Sequence, residues 1–240
     1  MLCFEGVAAT YRGGAGVHNL NFTISAGEIV ALIGLNGAGK TTLMRLALGM
    51  LRPSEGEVRV LGRSLAALPD RMWRDVGHLV EGPLAYPELT VRDNLRIACL
   101  LQGADPQAAA ASLVQWELTS LADRRFSRLS LGNRQRVALA GALQHHPRLI
   151  VLDEPSNALD PNGVITLRDL LRGRAREGAG VLVSSHHLDE VARVADRILV
   201  MNSGTLIGEI DPLGSELERT FFETVRSDDT VRDAQQKESL

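Results

Sequence analysis

Lysine is almost missing from this chain of 240 residues: of 26 basic residues, only Lys40 and Lys237 are lysine and the other 24 are arginine. Lys237 sits in a polar terminal stretch, which leaves Lys40 as the only ammonium in the body of the chain. A sequence that uses guanidinium elsewhere points to a need for a compact point charge at position 40. Aromatic residues are only 4%, so the core must be built mostly from Leu, Val, Ile and Ala. There are two cysteines, Cys3 and Cys99, and neither has metal-ligand spacing. That argues against a disulfide scaffold and against a zinc site. No apolar run approaches the ~18 to 20 residues of a membrane span, and Met1-Leu2-Cys3-Phe4-Glu5 is no signal peptide, so the expectation is a cytosolic chain. Charge is nearly balanced, with 26 basic against 29 acidic residues and a net charge of −3, which gives no bulk attraction to nucleic acid.

What is present is an ordinary globular balance, 45% apolar and 23% charged. The length suits one large domain, or one domain carrying an insertion. Residues 2–8 and 17–24 read as strands around the turn Gly13-Gly14-Ala15-Gly16. Further strands are expected at 28–33, 57–61, 76–80, 149–152, 181–184 and 198–201. Helices are expected after residue 41, near 161–177 and near 187–195. Between Thr90 and His145 the strand texture stops, and helices fit at about 90–101, 106–122 and 131–145. Strand and helix alternation predicts an α/β fold with a mostly parallel sheet and an all-helical insertion at about 84–146. The apolar residues of 226–240 are only Val231, Ala234 and Leu240, which predicts a frayed or disordered tail after a domain spanning 1–225.

Gly34-Leu35-Asn36-Gly37-Ala38-Gly39-Lys40-Thr41-Thr42 fits the phosphate loop G-x-x-x-x-G-K-[ST], between an apolar strand and a helical pattern. Glycines let successive backbone N–H groups turn inward around an anion, and the helix N-terminus adds its dipole. Lys40 would reach the outer phosphates and Thr41 would help hold Mg²⁺. Leu149-Ile150-Val151-Leu152 is an apolar strand running into Asp153 and Glu154. Carboxylates at the C-terminal end of a parallel strand lie where such sheets bind ligands, suited to holding Mg²⁺ and to taking a proton from water. Leu129-Ser130-Leu131-Gly132-Asn133 opens another helix and offers a second anion-binding end. His145-His146 and His186-His187 are adjacent pairs that do not converge on one metal. The cluster Arg124, Arg125, Arg128, Arg134 and Arg136 reads as a solvated or ion-paired face.

On these residues the chain resembles the ATP-binding subunits of ABC transporters, over roughly residues 2–224. The Lys40 loop is similar to Walker A, with Asn36, Gly37, Gly39, Lys40, Thr41 and Thr42 on nucleotide. Residues 129–133 resemble the signature motif, where Ser130 and Gly132 are the phosphate contacts. Asp153 and Glu154 resemble Walker B and the catalytic glutamate, Asn157-Ala158-Leu159-Asp160 the D-loop, and His186 the switch histidine. Tyr11 is similar to the aromatic that stacks on adenine. Two departures stand out. Leu131 and Asn133 replace the commoner Gly and Gln of the signature, and Glu81 stands where the Q-loop usually has Gln. A glutamate can still ligate Mg²⁺ through oxygen. Glu81 and the segment after it resemble the bacitracin- and lantibiotic-resistance exporter branch.

The resemblance implies a P-loop core, a small antiparallel sheet and an inserted helical subdomain. It also implies an ATPase that dimerises on ATP and drives an export-type membrane transporter, with Mg²⁺ held by Thr41, Asp153 and Glu81. Expected partners are integral membrane permease subunits and a second copy or paralogue of the chain, with no nucleic acid. The expected location is the cytoplasmic face of the cell membrane. Three other readings stand beside it. An importer ATPase is separated from export only by the Glu81 segment and the short tail. A family member without a membrane partner usually carries two cassettes or a long coiled coil. A nucleotide kinase would leave residues 129–133 and the D-loop unexplained.

Overall fold

The computed structural model describes all residues except Arg12, Gly14, Pro83, Ser239 and Leu240. The turn expected at residues 13–16 includes Gly14 and is therefore only partly within the described residues.

Two sheets form the frame. One is antiparallel, built from β1 (Leu2–Thr10), β2 (Gly16–Ile24), β4 (Glu55–Val60) and β5 (Arg63–Ser64) in the order β2-β1-β4-β5. The other has six strands: β3 (Ile29–Ile33), β6 (Val76–Leu79), β7 (Leu149–Leu152), β8 (Gly180–Ser185), β9 (Arg197–Asn202) and β10 (Thr205–Ile210). Their order is β10-β9-β3-β8-β7-β6, parallel throughout except that β10 runs antiparallel on the edge.

The continuous apolar runs of the second sheet follow from its two covered faces. In β3, Ile29, Ala31 and Ile33 join the core under the helices, while Val30 and Leu32 join the core shared with the antiparallel sheet. β7 divides the same way, Ile150 and Leu152 against Leu149 and Val151. A strand buried on both faces has no polar alternate positions, so it loses the period-two pattern. The helix α1 (Lys40–Ala47) leaves β3 through the glycine-rich loop and buries Leu43, Met44 and Leu46 in the second core.

Between β6 and β7 the described chain has no strand. It holds α2 (Val91–Gln102), α3 (Gln107–Gln115) and α4 (Leu131–Leu143), packed on one another around the buried Trp116. Thr90 caps α2 by accepting from Asp93 N at 3.1 Å, a contact worth about 1 kcal/mol. The helix expected at 106–122 ends early. Glu117 takes a left-handed backbone (φ 56), and only a short 3₁₀ turn follows at Thr119–Leu121. The remaining helices are α5 (Pro161–Arg176), α6 (Leu188–Ala192) and α7 (Leu217–Glu238).

α7 corrects the expected disordered tail: the helix continues through Glu238, with Ser239 and Leu240 outside the described residues. Apolar content fails as a guide because polar groups dock it. Asn202 at the end of β9 donates to Asp228 and Asp229, and Arg232 bonds Asp228 as well. β5 and β10 were not foreseen either. β10 follows β9 through the two-residue turn Ser203-Gly204, both at positive φ (45 and 82), the geometry that matches strand twist in a tight hairpin.

Candidate nucleotide site

Three neighbouring parallel strands, β7, β8 and β3, end side by side, with Leu152 paired to Val183 and Ile33 to Ser185. The phosphate loop, Asp153-Glu154 and His186 all follow those ends. Thr41 and Asp153 are 112 positions apart, and Glu154 and His186 a further 32, because helices intervene between the strands.

Within the loop, Gly37 and Gly39 take φ of 83 and 108, a conformation that side-chain-bearing residues adopt at a cost. A Cβ on Gly34 would lie 2.3 Å from Met201 O, so that position admits only glycine without backbone movement. Asn36 and Gly37 are exposed at the mouth, and a Cβ on Gly37 would meet nothing within 4 Å. Lys40 is buried and donates to Gly34 O at 2.7 Å and Leu35 O at 3.4 Å; its Nζ also stands 3.9 Å from Glu154 Oε1. The lone body lysine therefore lies folded across the loop that it closes.

Thr41 Oγ1 donates to Asp153 Oδ2 at 2.7 Å, bringing two of the three expected cation ligands together. Ser184 Oγ donates to Asp153 Oδ1 at 2.5 Å and accepts from Glu154 N at 2.8 Å. Ser184 is fully buried and fixes both carboxylate residues, a role the sequence reading did not assign. The signal was a hydroxyl following the apolar run Val181–Val183, where a fourth aliphatic residue would otherwise fit. Glu154 holds a left-handed backbone (φ 48), and its Oε2 lies 2.7 Å from His186 Nδ1 and accepts from His186 N at 3.3 Å.

Glu81 sits apart from this group. Its backbone is left-handed (φ 69) and its carboxylate is ion-paired with Arg45 on α1. The same guanidinium donates to the Tyr11 hydroxyl at 3.2 Å. Hydrogen bonding from Thr42 and then from Arg45 pulls the Tyr11 phenol below its ordinary range. Arg45 thus ties the expected adenine aromatic to Glu81, and it too was absent from the sequence reading.

Ser130 caps α4, accepting from Asn133 N at 3.4 Å, and Leu131 beside it is 71% exposed. Gly132 lies against the D-loop, where a Cβ would come 2.7 Å from Ala158 O. Gln135 donates to Pro155 O at 2.9 Å, and Arg136 to Asp160 Oδ1 at 2.6 Å. Among the described residues, Ser130 bonds only Asn133 N and Arg134 N of α4, and Gly132 faces the D-loop. The chain therefore presents two helix N-termini, at Lys40 and at Leu131, that no hydrogen bond of Ser130 joins.

The family model for the ABC transporter domain matches residues 17–157. The lantibiotic transport ATP-binding protein SrtF of Streptococcus pyogenes is 34% identical over 222 residues, covering 92% of this chain and 96% of SrtF. The bacitracin transport ATP-binding protein BcrA of Bacillus licheniformis is 34% identical, over 83% of this chain and 66% of BcrA. The Nod factor export ATP-binding protein I of Rhizobium etli is 35% identical, over 87% of this chain and 67% of that protein. Among solved structures, an ATP-binding subunit of an ABC transporter superposes with a TM-score of 0.82 at 27% identity, covering 94% of both chains. The ATP-binding cassette MJ0796, dimeric with ADP and phosphate, gives 0.81 at 28% identity, over 89% of this chain and all of its own. The chain belongs to the ABC transporter family, and it is an ATP-binding, ATP-hydrolysing subunit of that family.

Proposed function

We propose that this ATPase powers an exporter of the drug or antimicrobial-peptide type, working as a pair of cassettes packed head to tail. The separation of the two anion-binding ends carries this reading. Each ATP would lie between Lys40 and Thr41 of one copy and Ser130 and Gly132 of the other. The exposed Leu131 then faces the partner copy, and the left-handed loop glycines present their N–H groups to the phosphates. SrtF and BcrA, named for lantibiotic and bacitracin transport, support such cargo, and the Nod factor export protein supports the direction.

The site suits Mg²⁺. Thr41 and Asp153 offer hard oxygen donors 2.7 Å apart, and this cation needs only one or two protein ligands beside phosphate oxygens and water. Bound there, Mg²⁺ would neutralise charge on the β- and γ-phosphates. Lys40, released from Gly34 O, reaches the same oxygens. Glu154 takes the proton of the attacking water as the bond to the γ-phosphorus forms and the bond to the departing ADP breaks. His186, bonded to the Glu154 carboxylate, keeps that base aimed. Glu81 joins the cation only if it leaves Arg45. Tyr11, Asn36, Gly37, Gly39 and Thr42 complete the nucleotide contacts. Loss of the γ-phosphate removes the charge that holds the two copies together, and the pair opens.

No helix among the described residues is long and apolar enough to cross a membrane. In the proposed assembly, cargo passes through integral membrane permease subunits. A groove of 530 Å³ between the Leu84–Tyr86 segment, α2 and α4 supports their docking. Leu84 (81% exposed) and Leu101 (71%) line it as uncovered apolar surface suited to a cytoplasmic segment of a permease. That docking would hold the chain at the inner face of the cell membrane.

The test is purification of the tagged chain from gently solubilised membranes of its source cells, with partners identified by mass spectrometry. A polytopic partner of roughly six apolar spans is the expected result, and its sequence would identify the cargo class. Recovery from the soluble fraction alone, with ribosomes or DNA, would overturn the transporter assignment.

A further inference from the structure

The C-terminal helix α7 reaches the rear of the phosphate loop through the β9–β10 turn. Asn202, 7% exposed, donates from its single amide nitrogen to Asp228 Oδ2 at 2.9 Å and to Asp229 Oδ1 at 2.8 Å. Arg232 donates to Asp228 Oδ2 at 2.7 Å and also bonds the Thr205 hydroxyl. Its charge offsets the two carboxylates, which would otherwise repel each other beside a buried amide.

The turn in its own right carries the loop. Gly204 N donates to Ala38 O at 2.9 Å, and Gly204 O accepts from His18 N at 2.8 Å. Met201 O would lie 2.3 Å from a Cβ on Gly34. A Cβ on Gly39 would lie 2.8 Å from Met201 Cε and 3.4 Å from Gly204 Cα. The backbone contact of Met201 O with Gly34 and the hydrogen bond from Gly204 N to Ala38 O couple the turn to the loop, so a shift of one moves the other. Further along, Phe221 and Phe222 of α7 share a recess of 200 Å³ with Leu35, Asn36 and His186. The helix thus borders Leu35 and Asn36 of the loop and also His186.

We infer that Asn202 is a positioning residue for ATP binding, clamped by Asp228, Asp229 and Arg232 so that the Met201–Gly204 turn holds Gly34–Gly39 in its anion-receiving shape. This rests on reading that loop as the phosphate cradle. The polar end of the chain is then part of the nucleotide site's foundation. Its substitution acts through loop geometry rather than through a contact with nucleotide.

The experiment measures KM for MgATP, kcat and melting temperature of the full chain carrying Asn202→Asp, alone and combined with Asp229→Asn. Asn202→Asp puts a third carboxylate against two others, while the second change restores an amide-to-carboxylate pair with donor and acceptor exchanged. The expected result is a KM raised at least fivefold with kcat within twofold, and lowered again at least twofold by Asp229→Asn, which relieves one of the two carboxylate contacts while Asp228 keeps the other. A parent-like KM in Asn202→Asp overturns the inference, as does a raised KM that Asp229→Asn leaves unchanged. Where Asn202→Asp fails to fold, Arg232→Ala frees the same turn from the α7 side and is held to the same rise in KM. Lys40→Ala separates the two layers of the argument. If it abolishes ATP binding while Asn202→Asp does nothing, the clamp alone is refuted; if it leaves ATP affinity intact, the phosphate-cradle reading falls and the inference with it.

Discussion

Glu81 is ion-paired with Arg45, on the second turn of the helix that Lys40 opens, and the same arginine holds the hydroxyl of Tyr11. A bare carboxylate near a γ-phosphate would cost up to ~4 kcal/mol at 4 Å and an effective dielectric of 20. With Glu81 in the proposed place of the Q-loop Gln, Arg45 would supply its counter-charge. Arg45→Ala should therefore weaken MgATP binding several-fold, and Glu81→Gln should cancel that loss. A double-mutant cycle of MgATP dissociation constants checks it. An equal loss in both backgrounds would assign Arg45 to Tyr11 alone. Both side chains are partly exposed, so folding stability should change by no more than about 1 kcal/mol.

Glu154→Gln should lower ATP turnover by a factor of about 10² to 10⁴, the range that a positioned general base supplies. Affinity for ATP should persist, because Gln fills the same space and the phosphates are held by other groups. An ATP-bound dimer should then elute on size-exclusion chromatography for longer than in the parent chain. Hydrolysis at near the parent rate would remove Glu154 from that role. His186→Ala should cost less, since Ser184 still fixes the backbone of Glu154.

How much of this was legible in the sequence depends on how local each feature is. The loop Gly34–Thr42 and the pair Asp153-Glu154 were readable because one short stretch carries both the conformation and the chemistry. The central strands were readable because burial on both faces leaves Val30–Ile33 and Leu149–Leu152 without polar positions. Ser184, Arg45 and Asn202 were not readable, because each gains its role from a partner 31, 36 and 26 positions away. The tail failed for a related reason. A helix docked by Asp228, Asp229 and Arg232 leaves in its composition the same signature as a solvated one. Glu81 fell between these cases: its departure from the usual Gln was visible, and its pairing with Arg45 was not.

Arg136→Ala should uncouple α4 from the D-loop. Arg136 is 8% exposed and donates to Trp116 O at 3.0 Å, Glu117 Oε2 at 2.7 Å and Asp160 Oδ1 at 2.6 Å. Burial alone would lower its pKa, yet Glu117 and Asp160 together raise it, so it remains a cation in place. Asp160 is also the N-cap of α5, accepting from Gly163 N at 2.9 Å. Removing the guanidinium leaves a buried carbonyl unpaired and frees the cap carboxylate, a cost of about 1–3 kcal/mol. A lower melting temperature together with reduced ATP-dependent dimerisation is the expected outcome. Unchanged dimerisation would show that Gly132 and Gln135 suffice to hold the D-loop against α4.

Acid should weaken the fold through His145. Burial, the largest cause, drives its pKa from 6.5 to about 4 against the nearby Val76 backbone carbonyl, which favours the charged ring, and nearby His146 and Arg174 add to the depression. Burial lowers His78 as well. The unfolded chain takes up the His145 proton near pH 6.5, whereas the folded chain keeps the ring neutral down to about pH 4. Between those values the unfolded state binds more protons, so stability is complete above pH 6.5 and falls as pH drops toward 4. The loss from this one group should reach about 1–3 kcal/mol at the low end, after allowing for its partial exposure. Melting temperatures of the parent and of His145→Gln across that window test it. The variant should show a shallower decline, with the remaining slope shared by His78 and the carboxylates. Parallel curves would place the acid sensitivity elsewhere.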